Sequence, residues 1–242
     1  MTDDELAVTL ARAAGALLID LRATSGLEGK ELGDAGDAAA NELLVSALRT
    51  ARSDDGILSE ESKDTKDRLS QKRVWIIDPV DGTREYGEGR DDWAVHVGLA
   101  VDGQAAGGAV ALPALDITLD SDRPGSQPRR ADVLRMVVSR SRPAKEAVMV
   151  SEKLNAELIP MGSAGAKAMA IVRGEADIYL HSGGQYEWDN CAPVAVAEAH
   201  GLHCSRIDGN PLVYNCSNPY LPDLLICHKQ DAGLILDLVA QG

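Results

Sequence analysis

Apolar residues recur at helical spacing from the start of the chain. Leu6, Leu10, Ala13, Ala14, Leu17, Leu18 and Leu21 predict an amphipathic helix over residues 3–23. The same period returns in Leu43, Leu44, Ala47 and Leu48, which predicts a second helix from Asp37 to Arg52. Gly56-Ile57-Leu58-Ser59 and Val74 to Ile77 read as short buried strands. Trp93–Val101, Gly107–Leu112 and Asp116–Leu119 then predict an antiparallel meander with Gly and Pro at its turns.

Asp120 to Arg130 carries Pro124, Gly125 and Pro128 with almost no apolar content, and reads as a connection between domains. Strands and helices alternate beyond it. The expected strands are Val133–Val138, Leu158–Met161, Asp177–Leu180 and Leu224–Cys227; the expected helices are Pro143–Leu154, Ser163–Arg173, Trp188–His200 and Gly233–Val239. That alternation predicts a layered arrangement of helices and sheets.

Composition narrows the picture. A chain of 242 residues with 45% apolar and 26% charged residues is long enough for a substantial core, in one large domain or two small ones. A net charge of −14 excludes nucleic-acid backbones and anionic membranes as partners, because the summed field repels both. It does not exclude a small phosphate, since bound divalent cations reverse the field locally. No stretch approaches the ~18 apolar residues of a spanning helix, and Met1-Thr2-Asp3-Asp4-Glu5 has the wrong charge for a signal peptide. A cytoplasmic location is expected. Cys191, Cys204, Cys216 and Cys227 form no CxxC pair, so reduced thiols are expected rather than a zinc site or disulfides.

Candidate chemistry sits in three places. Asp78-Pro79-Val80-Asp81-Gly82-Thr83 follows an apolar strand, and it reads either as a plain turn or as a carboxylate pair for divalent metal beside amides for phosphate. The acidic Ser59-Glu60-Glu61-Ser62 at a neighbouring strand end favours the second reading, since such charges repel unless cations neutralise them. Glu187-Trp188-Asp189 reads equally as a helix cap or as the source of a further hard oxygen ligand, suited to Mg²⁺ or Mn²⁺. Gly162-Ser163-Ala164-Gly165 opens a helix, either for tight packing or to meet an anion or a sugar.

Taken in order, Leu58-Ser59-Glu60-Glu61-Ser62, Asp78-Pro79-Val80-Asp81-Gly82-Thr83, Gly162-Ser163-Ala164 and Trp188-Asp189 resemble the inositol monophosphatase superfamily of metal-dependent, lithium-sensitive phosphatases. The resemblance implies an α+β fold, the layered α-β-α-β-α sandwich of that type. Residues 1–125 would then carry most metal ligands, and residues 126–242 Asp189 and the substrate side. It implies two or three Mg²⁺ ions, with Mn²⁺ as a substitute. Glu60, Asp78 and the Val80 carbonyl would hold the first ion; Asp78, Asp81 and Asp189 would hold the second. The Gly82 and Thr83 amides would take the phosphate. Thr83 and Asp37, with Glu60, would direct in-line attack by a metal-activated water.

Within the superfamily, Asp81-Gly82-Thr83-Arg84-Glu85-Tyr86 and Glu187-Trp188-Asp189 resemble the CysQ-type nucleotidase branch more than the inositol phosphatases. His181 stands where the latter carry a Glu that contacts inositol. The implied reaction removes the 3′-phosphate of 3′-phosphoadenosine 5′-phosphate, or of 3′-phosphoadenylyl sulfate, in sulfate assimilation. Inositol monophosphatase or fructose-1,6-bisphosphatase activity is the alternative, and a catalytically dead sensor a third. On the substrate side the implied residues are Gly82, Thr83, Arg84, Gly162, Ser163, Ala164, His181 and Asp189. A phosphorylated nucleotide is the implied partner, and a homodimer the implied assembly.

Other residues stay open. Tyr86 replaces the usual Phe of this segment, with little change expected. His96 reads as a core or interface residue, and His200, His203 and His228 follow no metal spacing. Tyr179 and Tyr186 suit base stacking or packing equally. Arg129-Arg130 reads as a solvated face, while Arg140 and Arg142 read either so or as a site for a second phosphate.

Overall fold

The computed structural model describes residues 1–242. Helix α1 (Asp3–Thr24) opens with a capping box in which the Glu5 amide donates to the Thr2 hydroxyl and the Thr2 amide to the Glu5 carboxylate. Its stripe of Leu6, Leu10, Ala14 and Leu18 is buried against the first sheet, beside α2 (Gly29–Ala51). That sheet has the order β1 (Gly56–Ser59), β2 (Arg73–Asp81), β3 (Ala94–Val101), β4 (Gln104–Leu112), β5 (Ile117–Asp120). Strands β1 and β2 are parallel and the rest is the expected antiparallel meander. A short helix, α3 (Thr83–Gly87), follows β2.

The second sheet contains β6 (Arg135–Ser139), β7 (Glu157–Met161), β8 (Ile178–Tyr186), β9 (His203–Ser205) and β10 (Tyr220–Cys227), in the order β7-β6-β8-β10-β9. Helices α4 (Lys145–Leu154) and α7 (Lys229–Ala240) cover its outer side. Between the sheets lie α5 (Ala164–Val172) and α6 (Glu187–Ala199). The layers are therefore helix, sheet, helix, sheet, helix, as the α-β-α-β-α expectation holds. Every residue of α5 is buried, because it faces apolar surface on both sides. One hydrophobic cluster joins Leu58, Ile76 and Val110 of the first sheet to Val137, Tyr179 and Ile226 of the second.

Several boundaries differ from the sequence expectation. Helix α2 begins at Gly29 rather than Asp37. Its glycines suggest a loop, since each costs about 0.5–1 kcal/mol against Ala in a helix. They are there for close packing: a Cβ at Gly33 would lie 2.8 Å from Thr83 Cγ2, and one at Gly36 2.7 Å from Tyr86 Cε1. Strand β2 continues through Asp78 to Asp81, β8 runs on to Tyr186, and α7 starts at Lys229 rather than Gly233. Neither β9 nor α3 was expected; each is too short to show a period. Tyr86 also differs from its expectation, since its buried hydroxyl donates to the Leu18 carbonyl at 2.8 Å, a bond Phe cannot make. No helix is long and apolar enough to cross a membrane, and all four cysteines are free.

Candidate metal and phosphate site

Residues three apart on a regular strand face opposite sides. Asp78 and Asp81 escape that rule through a bulge. Asp78 pairs with His96 and Asp81 with Ala94, so β2 holds one residue more than β3 over this interval. Pro79 sits in the bulge, where a ladder N–H is not required. The two carboxylates consequently converge, and Asp189 joins them from the first turn of α6. Oxygens of Asp78, Asp81 and Asp189 all lie within 4.8 Å of one another.

Each carboxylate is held differently. Asp78 Oδ1 accepts the Val80 amide at 3.1 Å. Asp81 Oδ1 accepts the Ala164 amide at 3.0 Å, and its Oδ2 accepts the Gly165 amide at 2.5 Å. His96 Nε2 lies 3.1 Å from the same Oδ2, and its Nδ1 lies 2.9 Å from the Trp188 carbonyl. Nδ1 is thus hydrogen-bonded, while Nε2 faces Asp81 at ion-pair distance without hydrogen-bond geometry. Asp189 accepts the Tyr186 amide at 2.6 Å as the third residue of α6, so it caps the helix start from within, while Tyr186 rather than Asp189 is the N-cap.

The remaining site residues surround this trio. Gly82, with φ of 88°, ends β2 in the left-handed region and caps α3. A Cβ there would stand 2.9 Å from Ser163 Cβ, which places the Gly162-Ser163-Ala164 corner directly against the β2–α3 turn. The Thr83 hydroxyl donates to the Val80 carbonyl at 3.1 Å and lies 3.4 Å from Asp37 Oδ1. Asp37 is delivered by α2 at the point where Gly33 and Gly36 allow the close approach. Glu60, at the end of β1, lies outside the convergent trio, but its charge still acts on it. Arg84 points outward and pairs with Glu88. His181 Nε2 lies 3.2 Å from the Gly184 carbonyl, its ring tilted against Tyr179.

The electrostatics expose an unmet need. Burial, and then the charges of Glu60 and Asp81, hold Asp78 well above the usual carboxylate range. Burial and Asp189 push Glu60 up to about 8. Burial and Glu61 push Asp37 up to about 7, and burial and Asp81 push Asp189 up to about 6. Asp81 alone is lowered: burial raises it, but His96 and the Gly165 amide outweigh burial. A cluster of hard oxygen donors in which most members resist ionising fits divalent cations such as Mg²⁺ or Mn²⁺, which remove the repulsion.

Sequence reasoning missed several residues here. His96 is wholly buried yet belongs to the site. Lys167 donates to the Gly162 and Ser163 carbonyls and so shapes the α5 entry; its amine lies 5.4 Å over the Tyr179 ring. Burial lowers Lys167 to about 8, against the pull of Asp81. A single charge in the otherwise apolar Ala164–Val172 was the available signal. Arg140 is no solvated face, since it binds Glu85 at 2.6 Å and Glu88 at 2.7 Å. Glu187 accepts the amides of Asn215 and Cys216, which makes it an anchor for that segment. Arg130 pairs with Asp231, away from the site.

Comparison with known proteins agrees with this geometry. Residues 2–241 match the inositol monophosphatase family. The chain is 46% identical to a protein of Mycobacterium leprae named 3′-phosphoadenosine 5′-phosphate phosphatase, covering 100% of this chain and 94% of that one. It is 47% identical to the protein of that name from Mycobacterium tuberculosis, over 95% and 90% of the two chains. Among solved structures, CysQ from Bacteroides thetaiotaomicron superposes with a TM-score of 0.80 at 24% identity, covering 94% of this chain and 97% of that one. The bulged strand, its acidic trio and the neighbouring threonine thus sit in a fold shared along the whole chain, which belongs to the inositol monophosphatase family.

Proposed function

We propose that this chain is a Mg²⁺-dependent phosphatase that removes the 3′-phosphate of 3′-phosphoadenosine 5′-phosphate, and of 3′-phosphoadenylyl sulfate, in sulfate assimilation. The observation that carries the reading is the convergence of Asp78, Asp81 and Asp189 beside the Thr83–Asp37 pair. The names of the mycobacterial relatives support the substrate.

Glu60, Asp78, Asp81, Asp189 and the Val80 carbonyl would hold two or three ions, with Mn²⁺ as a substitute. Bound there, the metal supplies positive charge to the phosphate and acidifies water. The chain's own residues do the rest. The Gly82 and Thr83 amides meet the phosphate at the α3 entry. Thr83 donates its proton to Val80 or Asp37 and so turns its oxygen lone pairs toward an attacking water. Asp37, with its pKa near neutrality, accepts the proton relayed through that hydroxyl. Asp189, Gly162, Ser163, Ala164 and His181 face the leaving group, and Arg84 stands at the rim. In this scheme residues 1–125 carry most ligands and residues 126–242 complete them.

A nucleotide bisphosphate needs a place for its second phosphate. A polar recess of about 460 Å³, lined by Arg84, Glu85, Ser139, Arg140, Arg142 and Gly162 among others, opens beside the α5 entry. Arg84 and Arg140 are paired with Glu85 and Glu88, and Arg142 has no carboxylate partner. We assign the second phosphate to Arg142 and the Ser139 and Ser141 hydroxyls. The free cysteines accord with a cytoplasmic enzyme; a homodimer is the assembly we propose, to be checked by light scattering. Mg²⁺-dependent phosphate release from the bisphosphate tests the function, and its absence would reject it. An inositol monophosphatase would share the metal site but leave the recess without a purpose.

A further inference from the structure

His96 does more than fill the core. It lies on β3 with no solvent exposure, directly across the ladder from Asp78. Asp81 Oδ2 accepts the Gly165 amide, and His96 Nε2 lies 3.1 Å from the same oxygen, at ion-pair distance but without hydrogen-bond geometry. Oδ1 accepts the Ala164 amide. His96 thus sets its charge beside Oδ2 alone, so the two oxygens of Asp81 are not equivalent toward a further partner. The other ring nitrogen holds the carbonyl of Trp188, the residue before Asp189. One imidazole therefore joins the carboxylate from β2 to the helix that delivers Asp189. Gly165 makes room for it: a Cβ there would overlap the ring at Nε2 and stand 3.0 Å from Asp81 Oδ2.

We propose that His96 is a positioning residue of the metal site, fixing which oxygen Asp81 presents and how far Asp189 stands from it. The proposal rests on the metal-dependent reading above. A plain core histidine would stabilise the fold without influencing cation binding once the fold has formed. A positioning residue influences both.

The test is calorimetric titration of the metal-free chain with Mg²⁺, for the parent and for H96A, H96Q and G165A, with thermal unfolding of each. Expected is a loss of about tenfold or more in Mg²⁺ affinity for H96A, since each tenfold corresponds to about 1.4 kcal/mol, and at least as large a loss for G165A, whose Cβ would press on both the ring and Asp81 Oδ2. H96Q, whose amide reaches Asp81 but not Trp188, recovers part of that loss. At saturating Mg²⁺, KM for the nucleotide changes less than about twofold while kcat falls. Parent-like affinity in folded H96A and G165A would overturn the proposal, as would tighter binding, which would make His96 a charge competing with the cation. Failure of all three variants to fold would also overturn it, leaving a core role only. A parent that binds no Mg²⁺ would instead reject the metal-dependent function itself.

Discussion

The hydroxyl of Thr83 stands between Asp37 Oδ1, at 3.4 Å, and the carbonyl of Val80, at 3.1 Å. It can donate to one of them at a time. In the proposed mechanism, donation frees the threonine lone pairs to orient water, with Asp37 as the proton's destination. T83A and D37N are each expected to lower kcat about 10²–10⁴-fold, the usual range for a positioned acid–base group. KM should change little. Steady-state kinetics check this; a kcat within threefold of the parent for either variant would remove the pair from the mechanism.

Asp78 and Asp81 are equally buried, but their surroundings predict opposite stability effects. Asp78 resists ionising, so D78N in the metal-free protein is expected to be neutral or stabilising. Asp81 accepts two amides and lies 3.1 Å from His96 Nε2, so D81N turns a donor toward donors and should destabilise by about 1–3 kcal/mol. Both should abolish turnover. Urea unfolding in chelator measures the difference, and a D78N variant less stable than D81N would contradict it.

The acidic cluster also makes stability depend on pH in a definite direction. Glu60 at about 8, Asp37 at about 7 and Asp189 at about 6 lie above their ordinary values of 4.5, 3.8 and 3.8. The folded chain therefore binds these protons more tightly than the unfolded chain. Their favourable contribution is complete below about pH 4 and is lost as pH rises toward about 8. In chelator, replacing the cluster acids by their amides should flatten the fall in melting temperature between about pH 6 and about pH 8. Added Mg²⁺ should raise the melting temperature more at the higher pH, because its ligands are then ionised. Scanning calorimetry reads both. A parent and amide variant with the same pH slope would count against the cluster as described.

Arg142 is exposed and without a carboxylate partner, in a recess whose other arginines are engaged. R142S is expected to raise KM for the bisphosphate about 10–100-fold, as loss of a hydrogen bond to a charged group worth about 1.5–3 kcal/mol implies. Hydrolysis of adenosine 3′-monophosphate, which lacks the second phosphate, should change less than threefold. Equal losses on both substrates would move the second phosphate elsewhere.

Much of this was legible in the chain itself. The leucine period of α1, the meander and the alternation after Asp120 are local signals that predicted a layered arrangement; the five layers came from the family resemblance. The acidic trio was legible through the family resemblance, since Asp78 and Asp81 alone also read as a turn and Asp189 as a helix cap. What escaped depends on contacts between distant segments. Gly33 and Gly36 look like breakers until α3 is seen against them. His96 sits in an apolar strand, and only the fold brings Asp81 and Trp188 to its two nitrogens. The bulge at Pro79 is likewise invisible to a turn reading, although it is what turns both aspartates to one side. The hydroxyl of Tyr86 gained its meaning from a carbonyl 68 residues earlier.

On the proposed function, this acidic site serves a nucleotide bisphosphate. The most direct test is kcat/KM for phosphate release, with Mg²⁺, from 3′-phosphoadenosine 5′-phosphate and from inositol 1-phosphate. A preference of at least about tenfold for the nucleotide, or about 1.4 kcal/mol in transition-state binding, is predicted. A tenfold preference for inositol 1-phosphate would contradict it.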